Sequence, residues 1–171
     1  MNLLEGVKAW RSLCKYLIAC QAGYRRTMTD ARTAGLDRFV AAQESVWAAV
    51  RRELGAGRKA SHWMWFVFPQ LRSLGRSGTA KLYGLADEGE AASYWRHPVL
   101  GPRLLECTRL VLATEGRTAH DIFGSPDDLK LRSCMTLFDA VAPEEPAFRA
   151  VLDRFYRGEA DPLTLAAIGR G

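Results

Sequence analysis

Two stretches of this sequence carry side chains able to do chemistry on a ligand. The first is Lys59-Ala-Ser-His-Trp-Met-Trp-Phe-Val-Phe-Pro-Gln-Leu71, continuing to Gly75-Arg-Ser-Gly78. In it Lys59, Ser61, His62, Gln70 and Arg76 flank large aromatics, so cations and hydrogen-bond donors sit beside rings that can stack on a flat ligand. The second is Gly124-Ser-Pro-Asp-Asp-Leu-Lys-Leu-Arg-Ser-Cys-Met-Thr136, which places Asp127, Lys130 and Ser133 along one helix. Together they suggest a phosphate-bearing, nucleotide-like ligand. Trp63 or Trp65 would stack on its base, while Lys59, Gln70, Arg76, Ser77, Lys130 and Ser133 would hold it. His62 or Asp127 would move a proton. Buried polar groups need partners, so the two stretches are expected to meet in space, with His62 and Gln70 near Lys130 or Ser133.

Each feature also has a plainer reading. Trp63 and Trp65 are excellent core residues. They would share one side of a strand but lie about 200° apart on a helix, where at most one can line a pocket. Asp127 and Asp128 complement a helix N-terminus whether or not they touch a ligand. Gly55-Ala-Gly-Arg-Lys-Ala-Ser61 looks like a nucleotide loop but follows a helix, whereas such a loop follows a strand. Ser77 is placed to cap a helix over Thr79–Leu85, where Arg76 and free N–H groups could meet an anion. His97-Pro98 and Arg103 read as a helix break and a surface charge, and His120 as part of a short helix start.

Helices must position these groups. Leu36, Phe39, Val40, Gln43, Trp47, Val50 and Leu54 recur along one face until Gly55 and Gly57 stop it. Asp87 and Glu90 form a capping box. A long helix runs from about Pro98 to Glu115. Ser125-Pro126-Asp127 offers an N-cap followed by proline, opening a helix to Val141. Pro146–Tyr156 and a short segment from Asp161-Pro162 complete the series. His62–Phe68 suits a buried strand or helix, and the helical context favours helix. The fold class is mainly α: a compact single-domain helical globule over residues 36–171, with room for one short strand pair.

The 171 residues carry 24 Lys/Arg against 19 Asp/Glu, 48% hydrophobic residues and no apolar run long enough to span a membrane. The basic excess belongs mostly to residues 1–35, an amphipathic or extension segment with six Lys/Arg and two Asp/Glu. The remaining domain is nearly neutral, which argues against nucleic acid as a partner. Cys14, Cys20, Cys107 and Cys134 form no CxxC pair, and with His62, His97 and His120 they give no metal spacing. Cys107 and Cys134 lie in apolar helical patterns and are expected to be buried, inert thiols in a reducing compartment, the cytoplasm. No metal or cofactor is called for by these patterns.

Leu36-Asp-Arg-Phe-Val-Ala-Ala-Gln43, the Gly57–Leu71 stretch, Leu74-Gly-Arg-Ser77, His97-Pro-Val-Leu-Gly-Pro-Arg-Leu104, Phe123–Ser133 and Asp161-Pro-Leu-Thr164 closely resemble the domain of unknown function 1810 family. The resemblance runs in order over about residues 36–168. It implies a compact, mainly helical bacterial domain. It also implies that the family's motif residues here are Lys59, His62, Trp63, Trp65, Pro69, Gln70, Arg76, Ser77, His97, Pro98, Arg103, Asp127, Lys130 and Ser133. Cys134 departs from the family's more frequent serine. Two functions fit: a small-molecule site, hydrolytic on ADP-ribose-type ligands, or a non-catalytic protein-interaction module.

Overall fold

Helix boundaries in this chain are set by short polar side chains and prolines, and the architecture follows from where they fall. The computed structural model describes residues 35–171, so the expectation for the amphipathic N-terminal segment lies outside the described residues. Leu36–Gly171 forms one compact unit. Among the described residues there are ten α-helices: α1 Asp37–Glu44, α2 Trp47–Gly55, α3 Met64–Val67, α4 Gly78–Leu82, α5 Glu88–Arg96, α6 Leu100–Ala113, α7 Ala119–Phe123, α8 Asp127–Val141, α9 Pro146–Tyr156 and α10 Pro162–Ala167. A 3₁₀ turn at Arg72–Leu74 separates α3 from α4.

Three starts carry the expected caps. The Ser77 hydroxyl accepts from Ala80 N–H, Asp87 from Glu90 N–H and Asp161 from Thr164 N–H. Three differences stand out. The face expected to run from Leu36 to Leu54 is broken at Ser45–Val46, where the Val46 N–H turns back to the Gln43 carbonyl. Glu90 does not close its capping box on Asp87, because its carboxylate instead accepts from Ala86 N–H and Arg38. Ser125 does not cap α8: the first N–H groups are met by the carbonyls of Gly124 and Pro126 and by the Asp128 carboxylate, which accepts from the Leu129 N–H.

His62–Phe68 is helical, but only for the four residues of α3. The short strand pair is absent among the described residues. In its place a single parallel bridge joins Leu71 to Leu85, since the chain enters the 3₁₀ turn immediately after Leu71. So short a helix cannot hold itself together. The buried Gln43 amide donates to the Phe66 carbonyl at 2.7 Å and to the Tyr94 hydroxyl at 2.9 Å, and that hydroxyl donates to the same carbonyl.

Helix α8 packs against α5, α7, α9 and α10, and α6 packs against α2, α3, α5 and α9. The core between them holds Phe39, Trp63, Phe68, Tyr94, Leu104, Phe138 and Phe148. Cys107 and Cys134 are buried free thiols, and burial pushes both pKa values up, so neither ionises readily. No helix among the described residues is long and apolar enough to cross a membrane. The α5–α6 corner is closed by Gly101, where a Cβ would lie 1.9 Å from the Trp95 carbonyl oxygen. Gly101→Ala should therefore force the two backbones apart and cost about 1–3 kcal/mol in urea unfolding. An unchanged midpoint would show that the corner relaxes freely.

Candidate functional site

Helix α2 ends at Gly55, and Gly57 then turns the chain through a positive φ of 64°. A Cβ there would sit 2.7 Å from the Thr114 side chain, so only glycine fits both the angle and the space. The next residues are gathered by one carboxylate. Glu53 Oε2 accepts from the N–H groups of Ala60 (2.7 Å) and Ser61 (3.0 Å) and from Trp63 Nε1 (2.8 Å), while Oε1 accepts from the Ser61 hydroxyl (2.6 Å). The Lys59 N–H donates to the Ile122 carbonyl at 2.7 Å, tying this loop to α7. Burial alone would push the Glu53 carboxyl up. The hydrogen bonds from Ser61, Ala60 and Trp63 outweigh it and bring the pKa from an ordinary 4.5 to about 2.

Thus held, Lys59 reaches the first turn of α8. Its Nζ lies 2.7 Å from Asp127 Oδ2, and Lys130 Nζ lies 2.7 Å from Asp127 Oδ1. The lysines also rest on aromatic rings, Lys59 over Trp63 at 5.3 Å and Lys130 over Trp65 at 5.0 Å. The side chains of Lys59, Asp127 and Lys130 are only 10%, 17% and 22% exposed. Burial would raise the Asp127 pKa, but hydrogen bonds from Lys130 and Lys59 and their charges leave it below the usual carboxylate value. Asp127 is thus an ionised acceptor that holds two ammonium groups, and it is not a general acid at neutral pH.

The two stretches do meet, through Lys59 with Asp127 and Trp65 with Lys130, not through His62 and Gln70. His62 is exposed and Gln70 half-buried, and neither side chain hydrogen-bonds to a described residue. Trp63 is fully buried and packs against Phe68 and Phe123, so it is core beneath Lys59 and offers no face to a ligand. Trp65, half-buried on the short helix, is the indole that remains accessible. Ser133 is committed elsewhere: its hydroxyl donates to the Leu129 carbonyl and to Asp161, whose carboxylate caps α10. Arg76 is exposed, and Ser77 caps the five-residue α4. His97 Nδ1 accepts from the N–H groups of Val99 and Leu100, and Arg103 lies over Trp47 and pairs with Glu44, as a helix break and a scaffold charge would.

One anchoring group escaped the sequence reading, and His120, placed as expected at a short helix start, has a partner that was not foreseen. Glu53 carries no motif, and its one signal is a carboxylate beside Leu54 and three residues from Val50 on an apolar face. His120 Nδ1 lies 3.0 Å from Asp128 Oδ2, so the consecutive acids at the start of α8 serve different partners, one cationic and one imidazole. Among the described residues no group of three His, Cys, Asp or Glu side chains could hold a metal ion. A cavity of about 490 Å³ lies along α6, and none of the expected site residues lines it.

The family model described as a protein of unknown function (DUF1810) matches residues 33–168. The chain belongs to that family. It is similar to the crystal structure of the conserved hypothetical protein Rv1873 from Mycobacterium tuberculosis, at 51% identity and a TM-score of 0.78, over 78% of this chain and 96% of that one. No curated protein matches it. The DUF1810 match takes in every residue of the Lys59–Asp127–Lys130 cluster and the Glu53 anchor.

Glu53 generates a test with a defined pH signature. Its pKa is depressed in the folded state, so its stabilisation is complete above about pH 4.5 and is lost as pH falls towards about 2. Glu53→Gln should cost about 2–3 kcal/mol in urea unfolding near neutral pH, since one acceptor oxygen and the charge are lost. The gap to wild type should narrow steadily below pH 4.5. A gap of constant size down to the acid limit would mean that carboxylate charge is not what holds the loop.

Proposed function

We propose that the Lys59–Asp127–Lys130 cluster binds a phosphate-bearing, nucleotide-like small molecule, and that the reaction is hydrolysis of an ADP-ribose-type ligand. The observation that carries this reading is an imbalance of charge: two nearly buried lysines share a single carboxylate. A surplus positive charge mostly withdrawn from water is costly, and an anion arriving between the two ammonium groups relieves that cost. Phosphate oxygens suit the task, because each Nζ keeps a hydrogen-bond donor beyond the one given to Asp127. Trp65, beside Lys130, supplies the face on which a base stacks. In this reading Asp127 positions the lysines, His62 carries the proton, and Gln70, Arg76 and Ser77 border the approach, with Ser133 left to its bond with Asp161. Residues 36–171 are the working domain, acting in a bacterial cytoplasm, with residues 1–35 an extension to it. Two buried free thiols support a reducing compartment.

A second reading, a non-catalytic protein-interaction module, is favoured by Leu129 and Leu163, leucines that are 58% and 66% exposed. Thermal unfolding of the full chain with ADP-ribose, AMP and inorganic phosphate separates the two. Saturating ligand at about 100 times its Kd should stabilise the wild type by roughly 2.7 kcal/mol. The shift should vanish in Lys59→Ala and Lys130→Ala, and Trp65→Ala should weaken the nucleotides more than phosphate. Exposed His62 should tolerate His62→Ala within about 0.5 kcal/mol while turnover of ADP-ribose is lost. Stabilisation by none of the three ligands would sink the small-molecule reading.

A further inference from the structure

The outer face of α6 is built from Pro102, Leu105, Glu106, Arg109, Leu110 and Ala113, which border an open groove. Their spacing of three, one, three, one and three residues is a straight helical stripe. None belongs to the proposed ligand site. Leu105 takes no part in the hydrophobic core, Pro102 and Ala113 are exposed, and the Glu106 and Arg109 side chains are 39% and 66% exposed.

About the point midway between Cys107 and Thr108 the stripe keeps its apolar types and inverts its charges. Small apolar Pro102 mirrors Ala113, Leu105 mirrors Leu110, and acidic Glu106 mirrors basic Arg109. A helix face of this kind is complementary to itself turned end for end, which is what a two-fold interface requires. We propose that α6 is a self-association surface on which a second copy of this chain docks with its own α6 antiparallel.

In that pairing each leucine meets a leucine and each Glu106 meets Arg109 of the second copy. The flanking charges extend the match. Glu106 is bound within its own chain by Arg51 at 2.6 Å, and Arg109 lies 4.0 Å from Glu145. Across the interface the order is therefore Arg51, Glu106, Arg109 of the second copy and Glu145 of the second copy, four charges of alternating sign. By symmetry the sequence occurs twice. A parallel arrangement of the same face would set Glu106 beside Glu106 and Arg109 beside Arg109, so the charges select one direction. The 14 residues of α6 span about 21 Å, so a single helix pair falls below the roughly 800 Å² per partner of a standard stable interface. The dimer is accordingly weak, forming at micromolar concentration or above.

Analytical ultracentrifugation of the full chain, from low micromolar to several hundred micromolar, tests this. The weight-average mass should rise from 19.0 kDa towards twice that value. Glu106→Arg sets like charges against each other and should raise the dimer Kd by about tenfold or more. Adding Arg109→Glu to it restores opposite charges in both symmetric pairs, and the dimer Kd should return towards wild type. Leu105→Asp should leave a folded monomer, its fold checked by circular dichroism. A chain that stays monomeric at every concentration overturns the proposal, whatever else covers the face. So does a double variant that associates no better than Glu106→Arg alone.

Discussion

The Glu53 carboxylate is the contact on which the site depends. It stands at the end of α2, yet its four hydrogen bonds all go to the loop beyond, to Ala60, Ser61 and Trp63. Those bonds fix the backbone that follows Lys59 and seat the Trp63 indole in the core. With Trp63 anchored, α3 begins in a defined orientation, and Trp65 leaves it on a different side. A buried carboxylate accepting this many donors is rigid for two reasons: each donor strengthens its ionised form, and leaving any of them unpaired would be expensive.

A second polar knot completes the support. Four residues of helix cannot satisfy their own carbonyls, and the Phe66 carbonyl would be orphaned in an apolar interior. Gln43 from α1 and Tyr94 from α5 both donate to it, so the short helix is held by two longer ones. Burial pushes the Tyr94 hydroxyl well above its ordinary pKa, which keeps it a donor at any physiological pH. The break between α1 and α2 belongs to the same arrangement: Gln43 lies one turn before it, fully buried, and spends its amide on α3.

How legible this was depends on how local the deciding interaction is. The caps by Ser77, Asp87 and Asp161 lie within three residues of the groups they satisfy, and the sequence pattern finds them directly. The divergence of Trp63 and Trp65 follows from helical geometry alone, though which one faces inward does not. The meeting of the 59–70 stretch with α8 follows from both carrying polar groups among apolar ones. The partners inside that meeting were not legible, because Lys59 reaches Asp127 across 68 positions of sequence, a pairing that no local pattern announces. Glu53 was missed since a glutamate in a basic helical stretch ordinarily faces water, and only the tertiary position of Trp63 calls it inward. Ser133 looked like a wall of the site because its bond to Asp161 spans 28 residues.

The cluster itself sits where helical backbone runs out. Lys59 comes from a loop and Asp127 and Lys130 from the first turn of α8, so the site lies at the positive end of a 15-residue helix dipole. Asp127 answers that dipole and one lysine. The second lysine then exceeds what the carboxylate can neutralise, and two tryptophan faces share the remaining charge without removing it. A purely structural start to α8 would be served by Asp127 and Asp128 alone, as the His120–Asp128 pair shows for the second of them. Bringing Lys59 in from a loop held by a buried carboxylate adds positive charge to a place already positive. In the proposed reading, an anionic ligand is what balances that charge.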